Sequence, residues 1–371
     1  MLMNAVTGLV EARRQLATQF DLAPSIKAAE QTAATYDLVK HVVPHADWCG
    51  YAPYVLAIEW LKREKDAVIL AHNYMTPEIF HGVADIKGDS LQLAIEATKV
   101  SQSIIVQCGV HFMAETSKIL NPTKTVLIPD SRAGCSLASS ITAHDIDLMR
   151  QAYPGASVVS YVNTTAEVKA ASDICCTSAN ALQIVDAMPG DTVIMTPDGY
   201  LAQNVAKLSR KRIIYWQGAC EVHERFTAQE MRDYRAAHPG IKIIAHPECP
   251  PEVIEEADFT GSTSGMIAWA HQYRPAKLLM VTECSMSDNV AGALPEIDFI
   301  RPCNLCPHMK RISLENILWC LYTGTEEVTV AAEFMEPARR AVEKMIALSV
   351  QVPTSSLPTS PVPAIAFARR A

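Results

Sequence analysis

From residue 66 onward the chain alternates short apolar runs with longer amphipathic stretches. The runs AVILA (67–71), SIIVQ (103–107), TVLIP (125–129), SVVSYV (157–162), TVIMTP (192–197), RIIYW (212–216), IKIIAH (241–246), LLMVT (278–282) and IDFIR (297–301) have the length of strands. They are apolar without clean alternation, the pattern of strands covered on both faces. Between them DSLQLAIEATKVS, SANALQIVDAM and TSGMIAWAHQY carry apolar residues at helical spacing. Strand and helix in alternation predict parallel sheets joined by helical crossovers. Ahead of this region residues 1–65 read as helical, ending in APYVLAIEWLKREK. Behind it RISLENILWCLYTGTEEVTV predicts a helix and a strand, and EPARRAVEKMIALSV a C-terminal helix. The final VPTSSLPTSPVPAIAFARRA is rich in Pro, Ser and Thr and is expected to be disordered.

The alternation repeats. HPECPPEVIEEADFTGST starts at His246, and 85 residues earlier YVNTTAEVKAASDICCTS starts at Tyr161. The two match without a gap in a polar opening triplet, then Glu252 and Glu167, Asp258 and Asp173, and a hydroxyl at Thr263 and Ser178. HNYMTPEIFHGVADIKGDS, from His72, is a third copy with one residue inserted before Asp85. The period far exceeds that of solenoid repeats, so a closed ring suits it better than an open array. The expected fold is α/β, with three similar small α/β/α units of parallel sheet related by pseudo-threefold symmetry around a central site. The expected boundaries are a helical extension over 1–65, repeats over 66–150, 151–235 and 236–325, and a C-terminal helix and tail over 326–371.

Composition narrows the function. Lys+Arg 32 against Asp+Glu 40 gives a formal charge of −8, which argues against nucleic acid or an anionic membrane as partner. The opening MLMNAVTGLVEARRQLATQF has early charges and no apolar core, unlike a secretory signal, and no run approaches a membrane span. Eleven cysteines without an export signal point to a reducing, cytoplasmic setting, where cysteine serves as filler, ligand or nucleophile rather than as disulfide.

The repeat selects three of those cysteines. Cys135 and Cys220 are 85 residues apart, Cys220 and Cys306 86, and each follows a strand by a few residues. Equivalent positions in three units around an axis converge on it, so the three thiolates are expected to hold a metal or a cluster. Structural zinc wants four protein ligands, whereas an iron–sulfur cluster can take three cysteines and leave one iron open. Cys49, 86 residues before Cys135, has neither a repeat opening nor a strand ahead of it and is set aside.

The opening triplets His72-Asn73-Tyr74, Tyr161-Val162-Asn163 and His246-Pro247-Glu248 follow strands at their carboxyl ends, where parallel sheets place ligand sites. Alternate members share a face of extended chain, so His72 with Tyr74, Tyr161 with Asn163, and His246 with Glu248 should point together. Ser90, Ser178 and Thr263 are expected at helix starts, as N-caps and as part of an anion site. That arrangement predicts a positive pocket for a substrate bearing carboxylates or phosphate. CNLC at 303–306, HVVPH at 41–45, and Glu115 and Lys118 in HFMAETSKIL are weaker signals. GxGxxG and P-loop motifs are absent.

AHNY, PE, GDS, MAETSKILNPTK, YVNTTAEVKA, TSANA, GAC.VH, HPEC, GSTSGM and CPHMKRISLENI together resemble the quinolinate synthase (NadA) family from about residue 66 to 325. The resemblance implies three α/β domains around a [4Fe–4S] cluster held by Cys135, Cys220 and Cys306, with one iron open to substrate. It implies condensation of iminoaspartate with dihydroxyacetone phosphate to quinolinate, phosphate and water in NAD biosynthesis. It also implies cytoplasmic location and functional coupling to L-aspartate oxidase. Substrate contacts would fall to His72, Ser90, Tyr161, Val162, Asn163, Ser178, His246, Pro247, Glu248 and Thr263. Glu248 would be the general base, Tyr74 a proton donor or relay, and His246 a further catalytic group. Some relatives carry CxxCxxC at the last ligand, whereas this chain has only Cys303 and Cys306. Two rivals remain open on the residues alone: another open-iron hydro-lyase acting on a small hydroxy acid, and a non-catalytic metal-binding scaffold.

Overall fold

The computed structural model describes residues 2–350, so the Pro/Ser/Thr-rich tail lies outside the described residues. Three four-stranded sheets, parallel throughout, follow one another along the chain. The first contains β1 (Ala67–His72), β2 (Ile86–Gly88), β3 (Ile104–Cys108) and β4 (Thr125–Leu127) in the order β2-β1-β3-β4. The second contains β5 (Ser157–Tyr161), β6 (Ile174–Cys176), β7 (Thr192–Thr196) and β8 (Arg212–Tyr215) in the order β6-β5-β7-β8. The third contains β9 (Lys242–Ala245), β10 (Phe259–Thr260), β11 (Lys277–Val281) and β12 (Asp298–Ile300) in the order β10-β9-β11-β12. The expected α/β architecture of three similar units is thus present.

Both sheet faces are covered, as the unalternating strands required. In β11 the side chains of Leu278 and Met280 enter one apolar cluster, with Met266 and Leu294. Those of Leu279 and Val281 enter another, with Phe226, Met231 and Val253. The first two units share a larger core, into which the helix His45–Glu64 and the C-terminal helix Ala332–Val350 also pack.

The repeated aspartate is structural. Asp85, Asp173 and Asp258 each accept the backbone N–H of a first-strand residue, from Ile69 (2.8 Å), Val158 (2.7 Å) and Ile243 (2.8 Å). Each also pairs with a cation from the helix before that strand: Lys62 at 2.7 Å, Arg150 at 3.1 Å and Arg235 at 2.9 Å. The carboxylate thereby pins each short edge strand beside the first strand of its unit.

Three strands were not named from the sequence: β2, β6 and β10. Each has only two or three residues, too few to show a period, and the aspartate that precedes it fixes its register. The strand expected in TGTEEVTV is reduced to one antiparallel bridge between Glu327 and Leu127, beside the edge strand β4. Among the described residues no helix is long and apolar enough to cross a membrane.

Candidate active site

All three sheets direct their carboxyl ends at one cavity of roughly 710 Å³, part of which is continuous with solvent. His72, Tyr74, Tyr161, Asn163, His246 and Glu248 line it, two from each unit, as the alternate-residue argument expected. Val162 and Pro247 do not: both are buried, Val162 in the core beside the second unit's sheet.

Ser90, Ser178 and Thr263 also line the cavity, but they are not the N-caps. Asp89 caps the helix Ser90–Ala97 by accepting from Gln92 N–H, and Ser262 caps Thr263–Tyr273 by accepting from Gly265 N–H. Ser178 lies two residues ahead of the cap position, Asn180. Shifted off the caps, the hydroxyls are free for other work: Thr263 accepts from Asn73 (2.9 Å), and Ser178 meets His246 Nε2 at 3.2 Å. The lining includes no lysine or arginine, so the expected positive pocket is not made by cationic side chains. Its charged members are the acids Asp89, Glu221 and Glu248.

The imidazoles are oriented by the chain that carries them. His72 Nδ1 accepts the Tyr74 backbone N–H at 3.2 Å, and His246 Nδ1 accepts that of Glu248 at 3.4 Å. Each Nδ1 is therefore an acceptor, leaving Nε2–H to face the cavity. Burial keeps both rings neutral, with pKa values lowered to about 4 for His72 and about 3 for His246.

Glu248 is 3 % exposed. Burial alone would raise its pKa, but His246, His223 and the Tyr161 hydroxyl outweigh it and hold the carboxyl well below the usual range. Asn163 Nδ2 donates to it at 3.3 Å, and His223 Nδ1 lies 2.8 Å away in a contact not aligned as a straight hydrogen bond. Burial pushes the Tyr74 phenol far upward, so it stays protonated.

Two members of this network were missed from the sequence, His223 and Thr282. Tyr74 Oη lies 2.5 Å from Thr282 Oγ1, which lies 3.0 Å from His223 Nε2; the His223 ring stacks on His246 at 4.7 Å. Hydrogen bonds therefore run from Tyr74 through Thr282 to His223, and a 2.8 Å contact leads on from His223 to Glu248. His223 stands three residues after Cys220, where the other units have Ala138 and Met309. A comparison that seeks agreement between repeats has no way to select it.

Cys135, Cys220 and Cys306 line the same cavity, one from each unit. Each opens a single helical turn: Ser139 N–H, Glu224 N–H and Lys310 N–H donate to the Cys135, Cys220 and Cys306 carbonyls at 3.0, 3.0 and 3.1 Å. Each sulfur faces the backbone N–H groups two and three residues on, which favour thiolate, while burial raises all three pKa values, that of Cys135 to about 12. Such a donor set fits a cationic metal or cluster, which would keep the sulfurs ionised despite burial. A second set, Cys220, His223 and Glu248, has ligand atoms within 4.8 Å of one another, but only its cysteine recurs in all three units.

Cys49 does not reach the cavity, and Cys303 instead places its sulfur 3.4 Å from that of Cys284. Glu115 accepts the Ala166 N–H, and Lys118 donates to the Lys124 carbonyl; neither lines the cavity.

The family model described as quinolinate synthetase A protein (NadA) matches residues 56–347. The chain belongs to this family. Membership makes it an enzyme of quinolinate synthesis, in NAD biosynthesis. The quinolinate synthase of Sinorhizobium fredii is 59% identical over 328 residues, covering 88% of this chain and 91% of that protein. That of Agrobacterium fabrum is 60% identical over 314 residues, covering 85% and 91%. That of Xylella fastidiosa is 59% identical over 292 residues, covering 79% and 86%. An enzyme family with coverage of this extent leaves no room for a non-catalytic scaffold.

Proposed function

We propose that this family member condenses iminoaspartate with dihydroxyacetone phosphate to form quinolinate, phosphate and water, in the cytoplasm. One observation carries the reading: a buried, ionised Glu248 and a protonated Tyr74 face one cavity beside three convergent thiols. Ring closure needs carbon-bound protons removed and hydroxyls expelled as water, hence a base and an acid in one dry site.

Cys135, Cys220 and Cys306 would hold a [4Fe–4S] cluster. When bound, such a cluster with one iron lacking a protein ligand supplies a Lewis acid. The remaining roles belong to the chain. His72, Ser90, Tyr161, Asn163, Ser178, His246 and Thr263 bind the substrate acid groups through N–H and O–H donors, which suits anions in a lining without lysine or arginine. Glu248 takes a proton as general base. Tyr74 gives one, and a return from Glu248 through His223 and Thr282 would need the 2.8 Å His223–Glu248 contact to align with substrate bound. His246, held neutral by burial, donates from Nε2 rather than serving as a cation.

An imine of this kind hydrolyses in water, so a supplier such as L-aspartate oxidase must act close in time, which is the functional coupling we assign. The test is direct: anaerobically purified protein should form quinolinate only when both substrates are present. Product from either one alone, or turnover by an iron-free preparation, would overturn the reading. Water elimination from a hydroxy acid alone would favour the hydro-lyase instead.

A further inference from the structure

Two asparagines repeat a device that neither the family assignment nor the polar chain explains. Asn204 lies on the helix Gly199–Ala206 of the second unit, and its Nδ2 donates to the Pro247 carbonyl (2.9 Å) and the Cys249 carbonyl (3.0 Å) of the third. Those carbonyls flank Glu248. Asn289 lies on the helix Ser285–Ala291 of the third unit, and its Nδ2 donates to the Asn73 carbonyl (3.1 Å) and the Met75 carbonyl (2.7 Å) of the first. Those carbonyls flank Tyr74.

The positions are equivalent by register. β5 pairs Ser160 with Thr196, and β9 pairs Ala245 with Val281; the asparagines stand eight residues after Thr196 and Val281. Both are buried, and the Oδ1 of each has no hydrogen-bond partner. At two equivalent places, then, the amide nitrogen makes both hydrogen bonds and the oxygen makes none, which assigns the work of the side chain to its donor.

The third interface breaks the pattern. β1 pairs Ala71 with Cys108, and eight residues later stands Thr116, whose hydroxyl turns back to the Phe112 carbonyl of its own helix. A small cavity lined by Thr116, Ser117, Gln107 and Val162 occupies the space beside the second unit's opening triplet. That triplet ends in Asn163, and its Oδ1 is also without a partner. The second unit's loop is held from within instead, by the buried Lys169 ammonium on the Thr164 carbonyl.

We infer that Asn204 and Asn289 are positioning residues: each ties together the two carbonyls around one reacting side chain, Glu248 or Tyr74, and so fixes its aim from the neighbouring unit. This rests on the roles proposed for Glu248 and Tyr74. Binding the carbonyls on both sides of a residue removes the freedom of its peptide planes, and a reacting group displaced by about 1 Å can lose roughly 100-fold in rate. Tyr74 is held further, since Lys310 Nζ donates to its own carbonyl at 3.0 Å. Asn163, unclamped, is the member left to adjust to substrate.

The test uses anaerobically purified holoenzyme with Asn204→Leu and Asn289→Leu, which keep the branched side chain's number of heavy atoms, at somewhat greater bulk, and remove the donors. Each should lower kcat by about 10- to 100-fold, with KM for both substrates within about threefold of wild type and iron and sulfide content unchanged. In a Glu248→Asp background Asn204→Leu should cost less than about threefold more, because it acts through Glu248, while Asn289→Leu keeps its full effect. Thr116→Val should leave kcat within about twofold. Should either leucine variant fail to fold, Asn204→Ala and Asn289→Ala, which also lack the donor, carry the same expectations. Folded, iron-loaded variants with wild-type kcat, or losses that multiply fully in the Glu248→Asp background, overturn the inference. Near wild-type rates for Glu248→Gln and Tyr74→Phe would instead overturn the proposed function. If those two lose activity and the asparagine variants do not, only the clamp is wrong.

Discussion

Glu248→Gln isolates the proposed general base. The replacement keeps the shape and a side-chain oxygen able to accept from Asn163 Nδ2, now 3.3 Å from the carboxylate. It removes the negative charge beside His223 (2.8 Å) and His246 (3.9 Å), and with it the ability to take a proton. The native carboxyl is held well below the usual range, so it is ionised across the neutral region and the loss should not vary with pH there. Positioned proton transfer contributes about 10²- to 10⁴-fold, and kcat should fall by that factor. KM should move little, because the hydroxyls and imidazoles proposed to meet the acid groups are untouched. The folded state should lose only about 1–3 kcal/mol, from imperfect pairing of a neutral amide with His223. The assay is quinolinate formation under anaerobic conditions with both substrates, alongside iron and sulfide counts. A kcat within about threefold of wild type, with the cluster retained, would refute the base assignment. So would a raised KM with unchanged kcat, which would make Glu248 a binding group only.

Cys135→Ser, Cys220→Ser and Cys306→Ser should each yield protein lacking the full iron and sulfide complement, read by metal analysis and visible absorbance, whereas Cys49→Ser and Cys303→Ser should keep it. Asp173→Ala should cost about 1–3 kcal/mol in denaturant unfolding, chiefly from the Val158 N–H left without its acceptor, since the Arg150 pair is partly exposed and screened by solvent; kcat should be unchanged where the variant is folded. Burial lowers the pKa of His72 to about 4 and that of His246 to about 3, against about 6.5 in an unfolded chain. The unfolded chain therefore binds protons that the native one refuses. Stability is full above pH 6.5 and falls as pH drops toward 4, by up to roughly 1.4 kcal/mol per unit for each ring. The melting temperature of metal-free His246→Gln should depend less steeply on pH over that interval than that of the native chain, and equal slopes would contradict the assignment.

Much of this was legible because three units obey one plan. Runs such as AVILA and TVIMTP are long enough to show that both faces are buried, and each became a strand. The opening triplets and the three cysteines share a register set by parallel pairing, so spacing alone brought them to one end of each sheet. The edge strands were illegible for a physical reason: their pairing is fixed by Asp85, Asp173 and Asp258 rather than by apolar content. The hydroxyls Ser90 and Thr263 do open their helices and Ser178 stands just ahead of its own, but the capping role goes to the residue before, Asp89 and Ser262, in the first and third units.

The residues that escaped have one property in common. His223 stands where its counterparts are Ala138 and Met309, and Thr282, just after β11, has Gly109 and Pro197 as counterparts. Repetition builds a frame in which three strand ends, three helical turns and three thiols face inward, but equal side chains there would give one chemistry three times. The proposed reaction donates a proton, accepts one and joins two substrates, and so needs unlike groups at like positions. Tyr74, Asn163 and Glu248 are that departure at the third place of the triplet, and His223 is the same departure three residues beyond a cysteine. Departure from the repeat at a position whose backbone is shared is thus itself a signal, readable once the register of all three units is known. The same register sets Thr116 apart from the matching pair Asn204 and Asn289.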